Sequence, residues 1–243
     1  MIVACYNEED LLEESVKEII RVLNNTALSW EIIFIDDCSK DGTREVINKI
    51  LDNYKDSNFK KYFHPENKGR GRTINDGIKM AEGEIVGFID IDLESPAHYL
   101  PIMVQKMKDD SLDMLIAKRI YKIKLDCLDR FIASVTYVKL VKTFLNLPVS
   151  DTESGYKIFR RDRVLPVLDQ IKDERWFWDT EIVARGYLAG LKIGELPVVF
   201  IRRTDKKSAV KLFRDSARHF KKFWNFQKEF RRALYESKNN PSA

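Results

Sequence analysis

Short apolar segments alternate with longer segments of helical periodicity through the first 120 residues of the chain. The short segments predict β-strands at residues 2–5, 31–35, 59–63, 85–89 and 113–117. Between them, apolar residues recur at helical spacing and predict helices near residues 12–23, 43–51 and 71–81, with another beginning at Pro96. Strands separated by helices of about 10 to 15 residues indicate βαβ units. The pattern therefore predicts an α/β fold with a mostly parallel sheet flanked by helices.

The pattern changes in the second half of the chain. Residues 126–145 predict a long helix with one apolar side, closed by Pro148, and residues 178–188 predict a shorter helix. Residues 192–202 predict a strand that contains Pro197, so it belongs at a sheet edge or a bulge. Residues 208–235 predict a last helix. With no internal repeat or obvious linker, we expect one domain over residues 1–204 and a basic amphipathic C-terminal helix and tail over residues 205–243.

The most informative segment lies at the end of the fourth predicted strand. The apolar residues 85–89 are followed by three carboxylates at alternate positions, Asp90, Asp92 and Glu94. If the strand geometry persists, all three point to one side, at the sheet edge where ligands of open α/β sheets bind. Oxygen ligands of this kind suit Mg²⁺ or Mn²⁺ together with substrate phosphates. The alternative interpretation is an acidic loop after a core strand.

Polar residues also follow the first and second predicted strands, at Tyr6-Asn7-Glu8 and Asp36-Asp37. A glycine-rich basic segment, residues 67–73, precedes the third helix and favours contact with an anionic ligand. Neither the P-loop pattern nor the dinucleotide glycine pattern is present. The sequence therefore indicates a phosphate-rich ligand held by a metal ion and basic side chains.

Charge and composition set limits on partners. The net charge is only +4, which does not favour nucleic acid as a partner. Residues 206–232 nevertheless hold ten Lys or Arg and two acids, mixed with aromatic residues, which is typical of a helix at an anionic membrane surface. The alternative is packing on the domain or across a homo-oligomer. Scattered cysteines, no signal peptide and no long apolar run favour a cytoplasmic protein, peripheral at the cytoplasmic face of a membrane.

Six spaced segments of the chain resemble the inverting family 2 glycosyltransferases. They are CYNEE at residue 5, IDDCSKDGT at 35, NKGRGRT at 67, FIDIDLE at 88, DTESGYKIFRR at 151 and WDTEIVARGYLAGLKIGELPV at 178. The last two resemble the branch with dolichyl-phosphate mannose synthase and bacterial polyprenyl-phosphate glycosyltransferases. The chain departs from the family in a truncated first strand, with Ala4-Cys5 where a proline often precedes the tyrosine. It also lacks the C-terminal transmembrane helices of some members.

This resemblance implies a GT-A (Rossmann-like) fold that binds a nucleotide-diphospho-sugar, UDP- or GDP-linked, across the sheet edge. It implies donor contacts from Tyr6 and Glu8 to the nucleoside and from Asp37 to the base. It implies that Asp90, Asp92 and Glu94 hold a cation bridging the two phosphates, with Asp92 in a catalytic role as a ligand. It implies that Lys118 and Arg119 contact the acceptor phosphate. It also implies that the donor diphosphate is contacted by Arg202, Arg203 and Lys207.

The acceptor decides whether a catalytic base is needed. A lipid phosphate is already ionised near neutral pH, whereas a saccharide hydroxyl requires a general base. Asp151 is the first candidate for that base or for an acceptor contact, followed by Asp179 and Glu181. The leading interpretation is transfer of a sugar to a polyprenyl or dolichyl phosphate, and the alternative is transfer to a saccharide hydroxyl. A nucleotidyltransferase and a non-catalytic sugar-nucleotide-binding protein are less well supported by the motifs.

Overall fold

The computed structural model describes residues 1–54, 58–121, 128–202 and 212–239, with side chains left undescribed at 128–134, 212–219 and 237–238. Seven strands form one sheet in the order β3-β2-β1-β4-β6-β5-β7. Their bounds are β1 Ile2–Cys5, β2 Ile32–Asp36, β3 Phe59–Phe63, β4 Ile85–Ile89, β5 Met114–Tyr121, β6 Tyr156–Arg160 and β7 Ile193–Phe200. Only β6 runs antiparallel to its neighbours. The predicted mostly parallel sheet is confirmed.

Helices cover both faces of the sheet. Their bounds are α1 Leu12–Asn24, α2 Thr43–Asn53, α3 Arg70–Met80, α4 Leu100–Asp109, α5 Leu128–Leu145, α6 Arg161–Leu168, α7 Trp178–Leu188 and α8 Leu212–Asn239. Side chains of α1, α2 and α4 fill one apolar core, and side chains of α3, α5, α6, α7 and α8 fill the other. Alternate residues of a strand face opposite sides, so β2 supplies Ile33 and Ile35 to one core and Ile32 and Phe34 to the other.

The region between β5 and β7 differs most from the prediction. Strand β6, which the sequence pattern did not predict, inserts between β4 and β5. Strand β5 continues to Tyr121 instead of ending at residue 117, while β6 pairs only with its first half. The outer halves of β5 and β7 therefore continue beyond β6 as a two-stranded ribbon. Pro197 lies on β7 at the sheet edge, as its missing N–H predicts.

Helix α8 is part of the main fold. Phe223, Phe226 and Phe230 recur on one face and are buried in the core shared with α5 and α7. Phe144 of α5 contacts Phe223 edge to face, with ring centroids 6.3 Å apart. The predicted helix is confirmed in its described part, and the proposed boundary at residue 204 stays a prediction. No helix in the described ranges is both long and apolar enough to span a membrane.

Candidate functional site

The loops after β1 and β2 are joined by hydrogen bonds at the carboxyl edge of the sheet. Asn7 has a left-handed backbone, with φ 57°, and its side-chain oxygen accepts from the Lys40 backbone N–H at 2.8 Å. Glu9 accepts from the Gly42 N–H at 2.6 Å, and the Glu8 N–H donates to Thr43 Oγ1 at 2.8 Å. This bonding leaves the half-exposed ring of Tyr6 at the edge. The predicted nucleoside contacts of Tyr6 and Glu8 stay predictions.

Asp37 organises the glycine-rich loop before α3. Its buried carboxylate accepts from the backbone N–H groups of Lys68 and Gly69, at 2.7 and 2.8 Å, and from the Asn67 amide at 2.8 Å. The buried ring of His64 supplies a further contact at 2.9 Å. Gly69 has φ 101°, a conformation that L side chains rarely adopt. These bonds use the acceptor capacity of the carboxylate, so the structure shows Asp37 shaping the loop, and its contact with a base stays a prediction.

The chain turns directly after β4, so the condition that strand geometry persists to Glu94 is not met. The Leu93 N–H donates to the Asp90 carbonyl at 3.1 Å, and Leu93 has φ 49°. Asp92 Oδ1 accepts from the Glu94 N–H at 3.2 Å within this turn. The alternation argument therefore fails for Asp90, Asp92 and Glu94, because a turn replaces the period of two on which it depended.

Asp90 lies between a guanidinium and a glycine. Arg70 donates to Asp90 Oδ1 through two nitrogens, at 2.6 and 3.1 Å. The Asp90 N–H donates to the Gly155 carbonyl at 2.8 Å. A Cβ added to Gly155 would lie 1.7 Å from Asp90 Oδ2, so the carboxylate occupies the space that a side chain would fill. Although it is held on two sides, the Asp90 side chain is 45% exposed and accessible to a ligand.

The residues at this edge fit a divalent cation only with help from a substrate. Among the described residues, no group of three or more His, Cys, Asp or Glu is arranged to hold a metal ion. Asp90 and Asp92 nevertheless offer hard oxygen donors two positions apart in sequence, at the turn after β4. Mg²⁺ is commonly held by one or two carboxylates, with substrate phosphates completing the coordination. The donor set therefore fits a cation that arrives with a diphosphate.

Asp151 and Arg119 form a buried ion pair on the other side of the site. Arg119 donates from Nε and a terminal nitrogen to the two carboxylate oxygens, at 2.8 and 2.7 Å, and its backbone N–H donates to Oδ2 at 3.0 Å. Burial acts to raise the pKa of Asp151, but the Arg119 charge and hydrogen bonds outweigh it and hold the pKa below its usual value. A carboxylate in this state is a weak base, so the geometry does not favour Asp151 as the base.

The other two candidate bases are also engaged. Asp179 accepts from Arg70 and from the buried Lys157, each at 2.5 Å, and is almost fully buried. Glu181 is buried too, where it accepts from Arg185 at 2.6 Å and from the Asp173 N–H at 2.8 Å. All three predicted bases are thus bound to cationic side chains of the chain itself.

The described residues among the predicted phosphate contacts lie on or next to the ribbon of β5 and β7, namely Lys118, Arg119 and Arg202. Lys118 and Arg119 lie within β5, so the expectation that they follow a strand end is wrong. The Lys118 side chain is 43% exposed, with Glu195 3.7 Å away, and Arg202 lies over the Phe200 ring at 5.6 Å. Arg203 and Lys207 fall outside the described residues. The phosphate-binding roles of these residues stay predictions.

Sequence reasoning missed Lys157 and Gly155 and gave Arg70 no individual role. Lys157 is the second residue of β6, next to apolar positions, and a charge beside this short apolar run was the available signal. Gly155 gave no signal of its own, because its close approach to Asp90 depends on the unpredicted strand β6.

Comparison with known families agrees with this geometry. The family described as Glycosyl transferase family 2 matches residues 1–165. The chain belongs to this family. Among curated proteins, glycosyltransferase AglD of Haloferax volcanii is 27% identical over 219 residues, covering 88% of this chain and 34% of that protein. Dolichyl-phosphate beta-glucosyltransferase of Dictyostelium discoideum is 25% identical over 211 residues, covering 82% of this chain and 64% of that protein. The chain thus spans about a third to two thirds of these relatives.

Solved structures confirm the fold of this family 2 chain. Mannosyltransferase PcManGT from Pyrobaculum calidifontis, in complex with GDP-Man and Mn²⁺, superposes with a TM-score of 0.62 at 19% identity and covers 92% of this chain and 63% of that one. Glucosyl-3-phosphoglycerate synthase from Mycobacterium tuberculosis, in complex with Mn²⁺ and UDP-glucose, superposes with a TM-score of 0.65 at 17% identity. The match covers 89% of this chain and 74% of that one. The predicted GT-A fold is therefore confirmed.

Proposed function

We propose that the chain transfers a sugar from a nucleotide-diphospho-sugar, held with Mg²⁺ or Mn²⁺, to the phosphate of a polyprenyl or dolichyl phosphate. The observation that carries this choice of acceptor is the engagement of Asp151, Asp179 and Glu181 with cationic side chains. A hydroxyl acceptor needs a carboxylate that can take a proton, whereas a phosphate acceptor does not. The names of two curated relatives, both dolichyl-phosphate beta-glucosyltransferases, support the same acceptor class.

The donor diphosphate would lie at the turn after β4, beside the glycine-rich loop. When bound there, the cation would offset the charge that builds on the leaving nucleoside diphosphate. Asp90 and Asp92 would hold it, because both bring hard carboxylate oxygens to this turn. The Asn67–Gly69 segment, fixed by Asp37, would set the position of the α3 amino end near the phosphates. The chain's own contribution is therefore to hold and orient the leaving group.

The acceptor phosphate would lie toward the ribbon formed by β5 and β7. Lys118 offers an exposed ammonium there, and Arg202 offers a guanidinium stacked on Phe200. Both groups attract a phosphate without taking a proton from it. Arg119 is committed to Asp151 through two of its nitrogens, so its contribution would be mainly to the shape of this side of the site.

Release of the nucleoside diphosphate tests this function. We expect release from a UDP- or GDP-linked sugar only when a short polyprenyl phosphate and Mg²⁺ or Mn²⁺ are both present. The matched control is the same polyprenol without its phosphate, which should give no release because no ionised oxygen is available. Equal release with the unphosphorylated polyprenol, or none with any donor from the folded protein, would contradict the proposal.

We also propose that α8 contacts the membrane that carries the acceptor. Phe220 and Trp224 stack with ring centroids 6.2 Å apart and are 49% and 41% exposed. Exposed basic residues share this helix, namely Lys221, Lys228, Arg231 and Arg232. Exposed aromatic rings beside Lys and Arg are suited to an anionic membrane interface. The contact would bring the ribbon and its basic side chains to the cytoplasmic face of that membrane.

Vesicle binding tests this contact. We expect Phe220→Ser together with Trp224→Ser to weaken binding to anionic liposomes about tenfold, since two partly exposed rings would no longer enter the interface. Removing all of α8 would also remove the buried Phe223 and Phe230 and expose the apolar core that they fill, so substitution gives the cleaner comparison. Tyr235→Ser, at an exposed position further along α8, is the control and should bind like the original chain. Unchanged binding by the double variant would exclude this face.

A further inference from the structure

Four charged side chains form a continuous series behind the donor side of the site, largely buried except at Asp90. They run from Asp90 through Arg70 and Asp179 to Lys157, which also donates to the Ser154 carbonyl at 2.6 Å. Two positive and two negative charges make the group neutral. Burying any one of these charges alone would be costly, so the set is stable only when it is complete. Its geometry therefore depends on every member.

Each of these four charged residues comes from a different element. Asp90 follows β4, Arg70 begins α3, Asp179 lies in the first turn of α7 and Lys157 lies in β6. The Arg70 guanidinium also stacks on the rings of Phe88 and Trp176, at 5.2 and 5.6 Å from their centroids. A planar fork held by stacking and by two carboxylates has few alternative positions. The elements that surround the site thus fix the direction in which Arg70 holds Asp90.

Asp179 is poorly placed to act on a substrate directly. It is almost fully buried, and its two oxygens accept from Arg70 and Lys157. Arg70, by contrast, donates to Asp90, whose carboxylate is the exposed member of the four charges. The shortest hydrogen-bonded path from Asp179 to the exposed carboxylate of Asp90 therefore runs through Arg70.

We propose that Asp179 and Lys157 are positioning residues, which hold Arg70 so that Asp90 is aimed at the cation bound with the donor diphosphate. This inference rests on the proposed function. Removing a side chain that holds a metal-binding carboxylate in place typically lowers metal affinity or activity by about 10- to 100-fold. A general base at Asp179 would behave differently, because its loss would reduce turnover and leave cation binding intact.

Binding of Mn²⁺ without turnover separates these roles. The electron paramagnetic resonance signal of free Mn²⁺ is followed as protein is added in the presence of UDP or GDP, with no sugar donor and no acceptor. We expect Asp179→Asn to weaken Mn²⁺ binding roughly tenfold, since the uncharged amide no longer holds Arg70 in place. Glu31→Gln is the matched control, because Glu31 is a buried carboxylate paired with Lys60 beyond the amino end of β2. It should bind Mn²⁺ like the original chain.

The outcomes are distinguishable. If the original chain binds no Mn²⁺ with either nucleoside diphosphate, the proposed function fails. If it binds and Asp179→Asn binds equally well, only the positioning role is overturned. Should Asp179→Asn fail to fold by circular dichroism, Arg70→Lys takes its place, because a single ammonium cannot form the two-carboxylate fork. It should weaken Mn²⁺ binding to the same degree, and unchanged binding would overturn the inference.

Discussion

Gly155→Ala should lower the rate of sugar transfer on the order of 100-fold while the protein stays folded. The new Cβ would lie 1.7 Å from Asp90 Oδ2 and 2.3 Å from its Cγ, so the carboxylate must move away. The Asp90 side chain is partly exposed and can rotate toward solvent, which relieves the clash without unfolding the sheet. A shift of about 1 Å in a substrate-positioning group is enough for a loss of this size. Steady-state nucleoside diphosphate release measures it.

Gly83→Ala is the control for this prediction. Gly83 lies before β4, at the opposite end of the strand, and a Cβ there would meet its nearest neighbour at 3.4 Å. That is an ordinary contact, so activity should be unchanged. If Gly155→Ala retains full activity and Mn²⁺ binding, the position of Asp90 does not limit the reaction, and the assigned donor side of the site is wrong.

Asp151→Asn should destabilise the protein by about 3 kcal/mol, because breaking a buried ion pair leaves Arg119 without its counter-charge. Both side chains of the pair are largely buried, and Arg119 makes three hydrogen bonds to Asp151. Urea unfolding of the original chain and of the variant measures the difference. Arg119→Met with Asp151→Leu removes both charges and should recover much of the loss. If Asp151→Asn unfolds at the same urea concentration as the original chain, the pair adds no stability.

The stability that the Asp151–Arg119 pair contributes is lost when the pH falls, not when it rises. The folded-state pKa of Asp151 is depressed below its usual value of 3.8, so the pair stabilises the folded protein fully above that value. The contribution is lost as the pH falls through the lower, folded-state pKa. Between pH 5 and pH 8, the difference in unfolding free energy between Asp151→Asn and the original chain should therefore stay constant.

Local patterns predicted much of the fold because they act over short distances. The apolar residues of Ile85–Ile89 and the spacing of Leu12, Val16 and Ile19 identify a buried strand and an amphipathic helix without reference to other elements. Strand β6 carries Lys157 at its second position, which interrupts the apolar pattern, and the buried lysine is tolerated because Asp179 and the Ser154 carbonyl accept its hydrogen bonds. A strand that depends on a partner 22 positions away gives little local signal.

The site was predicted in part for the same reason. The sequence placed Asp37 and Asp90 directly after strands β2 and β4, because strand ends are visible in the apolar pattern, whereas Asp151 was placed only in a loop. Their partners were not predictable, since Gly69, Arg70 and Arg119 reach them through loop and strand geometry. The expected alignment of three carboxylates failed because Leu93 has a left-handed backbone conformation, which the sequence pattern does not predict.

In the proposed reaction, the sugar leaves a nucleotide donor and becomes bound to a lipid phosphate. Mass spectrometry of the lipid fraction tests it directly, after incubation with the donor that releases nucleoside diphosphate, the divalent cation and a short polyprenyl phosphate. We expect a polyprenyl phosphate that is heavier by one sugar, formed in the same amount as the released nucleoside diphosphate. Release of nucleoside diphosphate with the polyprenyl phosphate left unmodified, and the sugar recovered on a saccharide, would contradict it.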